Sequence, residues 1–132
     1  FKEYSTRWRD NDVYLHMNNS VFYEYIDSIV NYWLIESGAL VVPNGGIIGL
    51  VVKTKCNYFA SLGYPEPVVC GLGLKKKGRS SVSYEVGLFP KYETFVAAQA
   101  TLTHVYVDSI TRKPVGLPTS LISALQTLQK IS

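Results

Sequence analysis

The chain has 132 residues, of which 47% are hydrophobic and 17% are charged. This predicts one globular domain over residues 1–132 and excludes a disordered chain. The net charge of +3 and the lack of a nucleic-acid motif argue against nucleic-acid binding, and no apolar run reaches the roughly 20 residues that span a bilayer. Cys56 and Cys70 form no metal-binding pattern, so we expect free thiols. Free thiols indicate a reducing compartment, and we expect the cytoplasm or an organelle matrix. A targeting segment before Phe1 is compatible with this expectation.

The first part of the chain predicts one strand and one long helix. Residues 2–9 alternate in the manner of a strand, and residues 10–19 interrupt this pattern with polar side chains. Within residues 20–37 the polar positions fall on one helical stripe, while the other positions are bulky and apolar. We therefore predict a helix that ends at Gly38 and whose broad apolar face is covered by other elements.

The rest of the chain predicts four strands and a short closing helix. Turn signals separate segments that are rich in Val, Ile, Tyr, Phe and Thr, namely residues 47–60, 66–77, 80–89 and 93–107. Because no helix lies between these strands, we expect an antiparallel meander. Residues 118–130 follow with leucines on one side, which predicts a short helix. The fold class is therefore α+β, with one long helix against an antiparallel sheet of about five strands.

The side chains best suited to chemistry lie just before the long helix, in the segment DVYLHMNN of residues 12–19. A carboxylate there can act as a nucleophile or as a general base on water. The free N–H groups and the positive dipole end of a helix can polarise a carbonyl oxygen. The simpler alternative is that Asp12, Asn18 and Asn19 cap the helix.

Three segments resemble the hotdog-fold acyl-CoA thioesterases of the 4-hydroxybenzoyl-CoA thioesterase-like family, over nearly the whole chain. The segment DVYLHMNN with the following FYEY of residues 22–25 is similar to the signature D-x-x-x-H-V-N-N-x-x-Y. Residues 77–81, KGRSS, resemble the family's G-R-S-S hairpin, and residues 108–118, DSITRKPVGLP, resemble its T-R-[KR]-P-V-x-[LI]-P tail. The resemblance implies a central helix wrapped by a curved sheet. It also implies a homodimer or homotetramer whose active sites lie at subunit interfaces.

The resemblance further implies hydrolysis of an acyl-CoA or acyl-carrier-protein thioester. It makes Asp12 the catalytic carboxylate, as nucleophile or general base, and the Asn19 backbone N–H the donor to the thioester carbonyl. His16 either orients this carboxylate or is a structural histidine, because Tyr14 stands where the plant acyl-carrier-protein thioesterases have Asn. No metal and no cofactor are expected, since coenzyme A belongs to the substrate.

Other residues are candidates for binding the substrate, and they are Asn18, Tyr23, Arg79, Ser80 and Ser81. The last three match a segment that in relatives lies beside the pantetheine and phosphate groups. The lysines of residues 75–77 and the basic pair of residues 112–113 are further cations that phosphates would attract. Their alternative role is an ordinary charged surface.

Two other functions are alternatives to hydrolysis. A hotdog hydratase would pair a His with a distant Asp or Glu, often in a His-Phe-Pro-type motif that this sequence lacks. A non-catalytic domain that binds acyl-CoA or an acyl-carrier protein would not need Asp12. We expect Glu24 and Asp27 to be surface or hydrogen-bonding residues of the helix, and His104 to be structural.

Overall fold

The computed structural model describes residues 1–7, 19–40, 46–60, 62, 66–93 and 95–128, without the side chains of residues 19 and 20. Their elements are, in chain order, β1 (Lys2–Tyr4), α1 (Asn19–Glu36), β2 (Ile47–Tyr58), β3 (Val68–Lys77), β4 (Ser81–Pro90), β5 (Ala98–Asp108) and α2 (Thr119–Leu125). The predicted α+β class is confirmed, with one helix of 18 residues, a five-stranded sheet and a short closing helix.

The sheet is antiparallel throughout, with the strand order β1-β3-β4-β5-β2. The predicted meander holds for β3, β4 and β5 but is wrong for β2, which pairs with β5 from Ile47 opposite Asp108 to Tyr58 opposite Ala98. The reason is that β1 occupies the edge of β3 beside Val68–Cys70, whereas β5 offers β2 a full-length edge. The long strand β2 and the short strand β1 therefore form the two edges of the sheet.

Alternation along β4 and β5 gives the sheet two different faces. The inner face, which packs against α1, carries the buried side chains Val82, Tyr84, Val86, Leu88, Ala98, Ala100, Leu102, His104 and Tyr106. The outer face carries polar side chains such as Ser83 and Thr103, whose hydroxyl oxygens lie 2.9 Å apart. This inside-outside alternation of period two is what a sheet with one covered face requires.

The polar stripe predicted on α1 is exposed, as at Glu24 and Asp27, and the opposite face buries apolar side chains such as Phe22, Ile26 and Val30. Several large side chains on α1 also remain exposed, and these are Tyr23, Tyr32 and Ile35. No helix in the described ranges combines the length and the apolar character needed to cross a bilayer.

Some element boundaries differ from the sequence-based expectation. Strand β1 ends at Tyr4, since the Thr6 hydroxyl donates a hydrogen bond to the Glu66 carbonyl (3.0 Å) where the ladder would have continued. Strand β5 begins at Ala98 because residues 91–93 still form the turn after β4, where the Glu93 N–H bonds to the Pro90 carbonyl.

The last helix is shorter than predicted. Helix α2 ends at Leu125, and the predicted segment continues into residues outside those described. Leu121 and Leu125 are buried, as their spacing predicts. The Ser120 hydroxyl donates to the Ala39 carbonyl at 2.8 Å, so α2 lies beside the C-terminal end of α1.

Both cysteines are free, as predicted from their lack of a ligand pattern. Cys70 is buried within the core, whereas Cys56 is half-buried on β2.

Candidate functional site

The start of α1 places the predicted carbonyl-binding donor at a helix terminus. Asp12, His16 and Asn18 lie outside the described residues, whereas Asn19 is the first residue of α1. Its N–H therefore belongs to the first turn, where backbone donors have no partner within the helix. No acidic residue lies in that turn, so no carboxylate of the first turn offsets the positive end of the helix dipole. The roles of all four residues stay predictions.

An aromatic corner forms where the start of α1 meets the end of β2. The rings of Phe22 and Tyr58 meet edge to face, with centroids 4.9 Å apart. Burial raises the pKa of Tyr58, and its hydrogen bonds to Cys56 and Tyr23 raise it further. The Tyr58 hydroxyl thus stays protonated near neutral pH. Tyr23, the side chain predicted to line a pocket, is 41% exposed at this corner.

Cys56 belongs to the same corner but is a poor nucleophile. Burial raises the pKa of its thiol, and a hydrogen bond with Tyr58 offsets this only in part. A thiol with a raised pKa holds little of the thiolate that would attack an ester. The corner therefore offers hydrogen bonds and apolar contact rather than covalent chemistry.

Glu24 and Asp27 are surface residues, as predicted. Glu24 lies 3.8 Å from the Arg7 guanidinium, and both side chains are about half exposed or more (63% and 49%). An exposed pair of this kind is screened by water and contributes little to stability. Asp27 is also exposed, on the stripe of α1 that points away from the core.

The second and third sequence motifs come together at the other end of the sheet. Ser80 and Arg79 lie in the turn between β3 and β4, and their carbonyls accept hydrogen bonds from the Tyr106 N–H (2.7 Å) and the Leu117 N–H (3.0 Å). The Val115 N–H bonds in turn to the Tyr106 carbonyl at 2.9 Å. The segment before α2 therefore lies beside the hairpin, an association that the sequence motifs did not indicate by themselves.

The loop after β5 holds the second basic pair at this same end. The Asp108 carboxylate accepts hydrogen bonds from the Ile110 and Thr111 N–H groups, each at 2.9 Å, and these bonds lower its pKa. Arg112 follows with a φ of 62°, a left-handed conformation that is uncommon outside glycine. The resulting tight loop leaves Arg112 and Lys113 exposed.

Within one chain, the start of α1 and the Arg79 hairpin are far apart. Phe22 contacts Tyr58, which pairs with Ala98 at the start of β5, whereas the hairpin bonds to Tyr106 near the end of that strand. Eight residues of strand separate these two positions, roughly 27 Å. The structure therefore does not bring Asn19 and Tyr23 together with Arg79, Ser80 and Ser81 in a single chain.

His104 is buried, which agrees with the structural role predicted for it. It is 2% exposed, and its Nδ1 lies 3.2 Å from the Tyr106 hydroxyl, which lies 2.6 Å from the Tyr84 hydroxyl. Burial lowers the pKa of His104, and the charge of Asp27 only partly counters this. A neutral imidazole can accept the Tyr106 proton while Tyr84 donates to Tyr106, which gives each hydroxyl proton an acceptor.

Sequence reasoning did not find the cavity above His104. It measures about 310 Å³ and lies between the second half of α1 and the start of β2, with Asn31 and His104 as polar groups in a mostly apolar wall. The alternation of β5 could have placed His104 on the inner face. The position of the cavity between α1 and β2 depends on the β2–β5 pairing, which the sequence did not predict.

The comparisons with known proteins agree with this architecture. A sequence model of the thioesterase-like superfamily matches residues 6–125. The chain is 41% identical to the PA5185 protein of Pseudomonas aeruginosa strain PAO1, over 97% of this chain and 90% of that one, with a TM-score of 0.93.

Two more distant structures share the fold. A 1,4-dihydroxy-2-naphthoyl-CoA thioesterase from Synechocystis is 18% identical over 96% of this chain and 95% of that one, with a TM-score of 0.86. A gentisyl-coenzyme A thioesterase is 17% identical over 96% and 100% of the two chains, with a TM-score of 0.81. A search of curated proteins gave no match. From the family match over most of its length, the chain belongs to the thioesterase-like superfamily, with the hotdog fold that its motifs predict.

Proposed function

We propose that this chain hydrolyses acyl-CoA thioesters to the free acid and coenzyme A. The observation that carries the proposal is the superfamily match over residues 6–125, which spans the DVYLHMNN segment with Asp12 in place. Membership of the superfamily supports thioester hydrolysis in general. The choice of coenzyme A is supported by the basic side chains Arg79, Arg112 and Lys113, which share one end of the sheet and suit phosphate groups.

In the proposed reaction, a carboxylate acts as the nucleophile or general base, and a helix terminus stabilises the oxyanion. Asp12 either removes a proton from the water that attacks the thioester carbonyl, or attacks this carbonyl itself to give a mixed anhydride that water then hydrolyses. In both routes a new C–O bond forms while the C–S bond breaks, and water supplies the oxygen of the free acid. The Asn19 N–H donates to the oxyanion that develops, at a helix terminus with no acidic residue in its first turn. His16 and Asn18 support this segment, and the departing thiolate takes up a proton. This scheme needs no metal and no cofactor.

We infer that the complete site takes residues from two copies of the chain. The start of α1 and the Arg79 hairpin lie at opposite ends of one sheet, so a substrate that touches both needs a second chain. The edge strand β2 exposes Val51 and Val52, and Phe59 follows it, and an edge strand of this kind pairs readily with another copy. Antiparallel pairing of two β2 strands about a two-fold axis brings the end of one strand beside the start of the other. The hairpin end of one chain then approaches the aromatic corner of its partner.

The experiment that tests the activity is a thiol-release assay with the full chain on acyl-CoAs of different kinds. The panel includes aromatic acyl groups, because two structures with this fold are named for such substrates, and straight-chain acyl groups of several lengths. We expect Asp12→Asn to lower kcat by roughly 100- to 10,000-fold, the range that loss of a general base typically costs. The matched control is Asp27→Asn, an identical change on the exposed stripe of α1, which should leave kcat within about twofold of the native value.

Undiminished hydrolysis by Asp12→Asn would overturn the assignment of Asp12. If the native chain binds the panel tightly and turns none of it over, the chain is instead a non-catalytic acyl-CoA binding domain. If the chain hydrolyses only an acyl-carrier-protein thioester, the carrier protein and not coenzyme A carries the acyl group of its substrate.

A further inference from the structure

The outer face of the sheet carries a basic groove that faces away from α1. It measures about 270 Å³, and its walls are formed by four lysines on two strands, Lys53 and Lys55 of β2 and Lys75 and Lys76 of β3, with Ser83, Thr101 and Thr103 between them. We call this feature the lysine groove. It lies on the opposite face of the sheet from α1, so a ligand bound there is independent of the proposed hydrolysis.

The strand register arranges part of the lysine groove as a straight row. Lys53 is opposite Thr103, Thr103 is opposite Ser83, and Ser83 is opposite Lys76. The row therefore runs across four strands as lysine, two hydroxyls and lysine, with no carboxylate in it. Neighbouring strands lie about 4.8 Å apart, so the backbones of the two lysines are roughly 14 Å apart. The two flexible lysine stems can bring their ammonium groups over the central hydroxyls from both sides.

Only one of the four lysines has a counter-charge in the groove. Lys75 lies 3.9 Å from the Glu85 carboxylate, which also accepts hydrogen bonds from Gln99 (2.6 Å) and Thr101 (3.1 Å). Glu85 is 7% exposed, so its acceptor positions are largely used within the sheet. Across the described part of the chain, no carboxylate lies within salt-bridge distance of Lys53, Lys55 or Lys76. Three positive charges thus share one groove without a carboxylate of the described residues within ion-pair distance.

The central hydroxyls supply a donor that an anion can use. Ser83 and Thr103 lie 2.9 Å apart, and only one of the two protons can lie between their oxygens. The other hydroxyl proton is left to donate to a bound oxygen. The groove is smaller than the roughly 300–1,000 Å³ typical of sites for drug-sized ligands, so it suits a compact anion. We propose that the lysine groove binds a diphosphate group, whose charge of about three matches the three uncompensated lysines.

Protection of the sheet edge explains only part of this arrangement. Strand β1 covers β3 only at Val68–Cys70, so Lys76 lies beside an open edge, where a lysine discourages pairing with other chains. Edge protection does not explain why Lys53 and Lys76 stand in register at the two ends of a row of hydroxyls.

Calorimetric titration of the native chain with inorganic pyrophosphate tests the proposal. The double variant Lys53→Gln with Lys76→Gln removes both ends of the row, and we expect its Kd to rise at least tenfold. The control is Lys2→Gln with Lys91→Gln, which removes the same charge. Lys2 is opposite Cys70 near the start of β3, and Lys91 follows the end of β4, so both lie at the end of these strands away from Lys76. We expect this control to change the Kd less than twofold.

A third variant separates recognition by the hydroxyls from attraction by the lysines. Thr103→Val keeps the branched shape and removes the hydroxyl, and we expect it to raise the Kd about threefold at constant salt. Binding by the native chain should also weaken as salt rises, since the groove lies at the surface.

Three results would overturn the proposal. The first is the absence of pyrophosphate binding by the native chain at millimolar concentration, and the second is an equal loss in the double variant and its charge-matched control. The third is binding of inorganic phosphate, or of an oligoglutamate peptide, as tight as that of pyrophosphate. That result would assign the groove to single phosphates or to an acidic protein surface instead.

Discussion

Asn19 offers two groups that substitutions can separate, the backbone N–H and the side-chain amide. Proline lacks the N–H and is tolerated in the first turn of a helix, where Asn19 lies. If the N–H donates to the oxyanion, Asn19→Pro should lower kcat by roughly 100- to 1,000-fold, the cost of losing one such donor. Asn19→Ala keeps the N–H and should cost less than about tenfold. Steady-state kinetics checks both values, with circular dichroism to show that the helix content is unchanged.

Equal losses in these two variants would assign the role to the side chain, and helix capping would then be the simpler account of Asn19. At the residue scale, the family resemblance nominated this group, and the local signals of a helix start placed it at the terminus of α1. It could not show that Arg79 lies far from Asn19 in one chain. That separation depends on which end of β5 each segment reaches, and strand register is set by packing between elements distant in sequence.

At the scale of elements, the pairing of β2 with β5 depends on a small residue at Gly49. A Cβ placed there would lie 2.9 Å from His104 Nδ1 and 2.9 Å from Tyr106 Cε1. Both of these rings are buried and have little freedom to move aside. We expect Gly49→Ala to lower the free energy of unfolding by about 1–3 kcal/mol, as overpacking usually does. The control is Gly46→Ala, where nothing lies within 4 Å of the added Cβ. Urea denaturation measures both, and an unchanged midpoint for Gly49→Ala would contradict the prediction.

The helix bounds were predicted within one residue, 20–37 against Asn19–Glu36. A long helical stripe is a local pattern that later packing does not alter. The place of β2 in the sheet was predicted wrongly, because alternation identifies a strand and its covered face but not its neighbour. The alignment of Lys53, Thr103, Ser83 and Lys76 in one row could not be predicted for the same reason. Its members lie on four strands, and only the observed strand order aligns them.

At the scale of the whole molecule, the two edges of the sheet differ in what they leave exposed. Edge strand β1 has three residues, whereas β2 has 12 and exposes Val51 and Val52. We expect the native chain to form a dimer through β2, with the mass of two chains in sedimentation equilibrium. Val52→Lys should shift it toward the monomer, because the two-fold axis brings the new charges of both copies near each other and near existing lysines. Ile110→Lys is the matched control, since Ile110 is 89% exposed in the loop after β5, and it should remain dimeric.

The same pair of variants connects assembly with activity. If the substrate contacts the start of α1 in one chain and the Arg79 hairpin in its partner, the monomeric Val52→Lys protein should lose affinity for coenzyme A esters. Its KM should rise and approach the native value again at protein concentrations high enough to restore the dimer. Ile110→Lys should show a KM that does not change with protein concentration. A Val52→Lys protein that is monomeric and retains the native KM would mean that one chain holds the whole substrate, and the basic hairpin would then have no part in binding it.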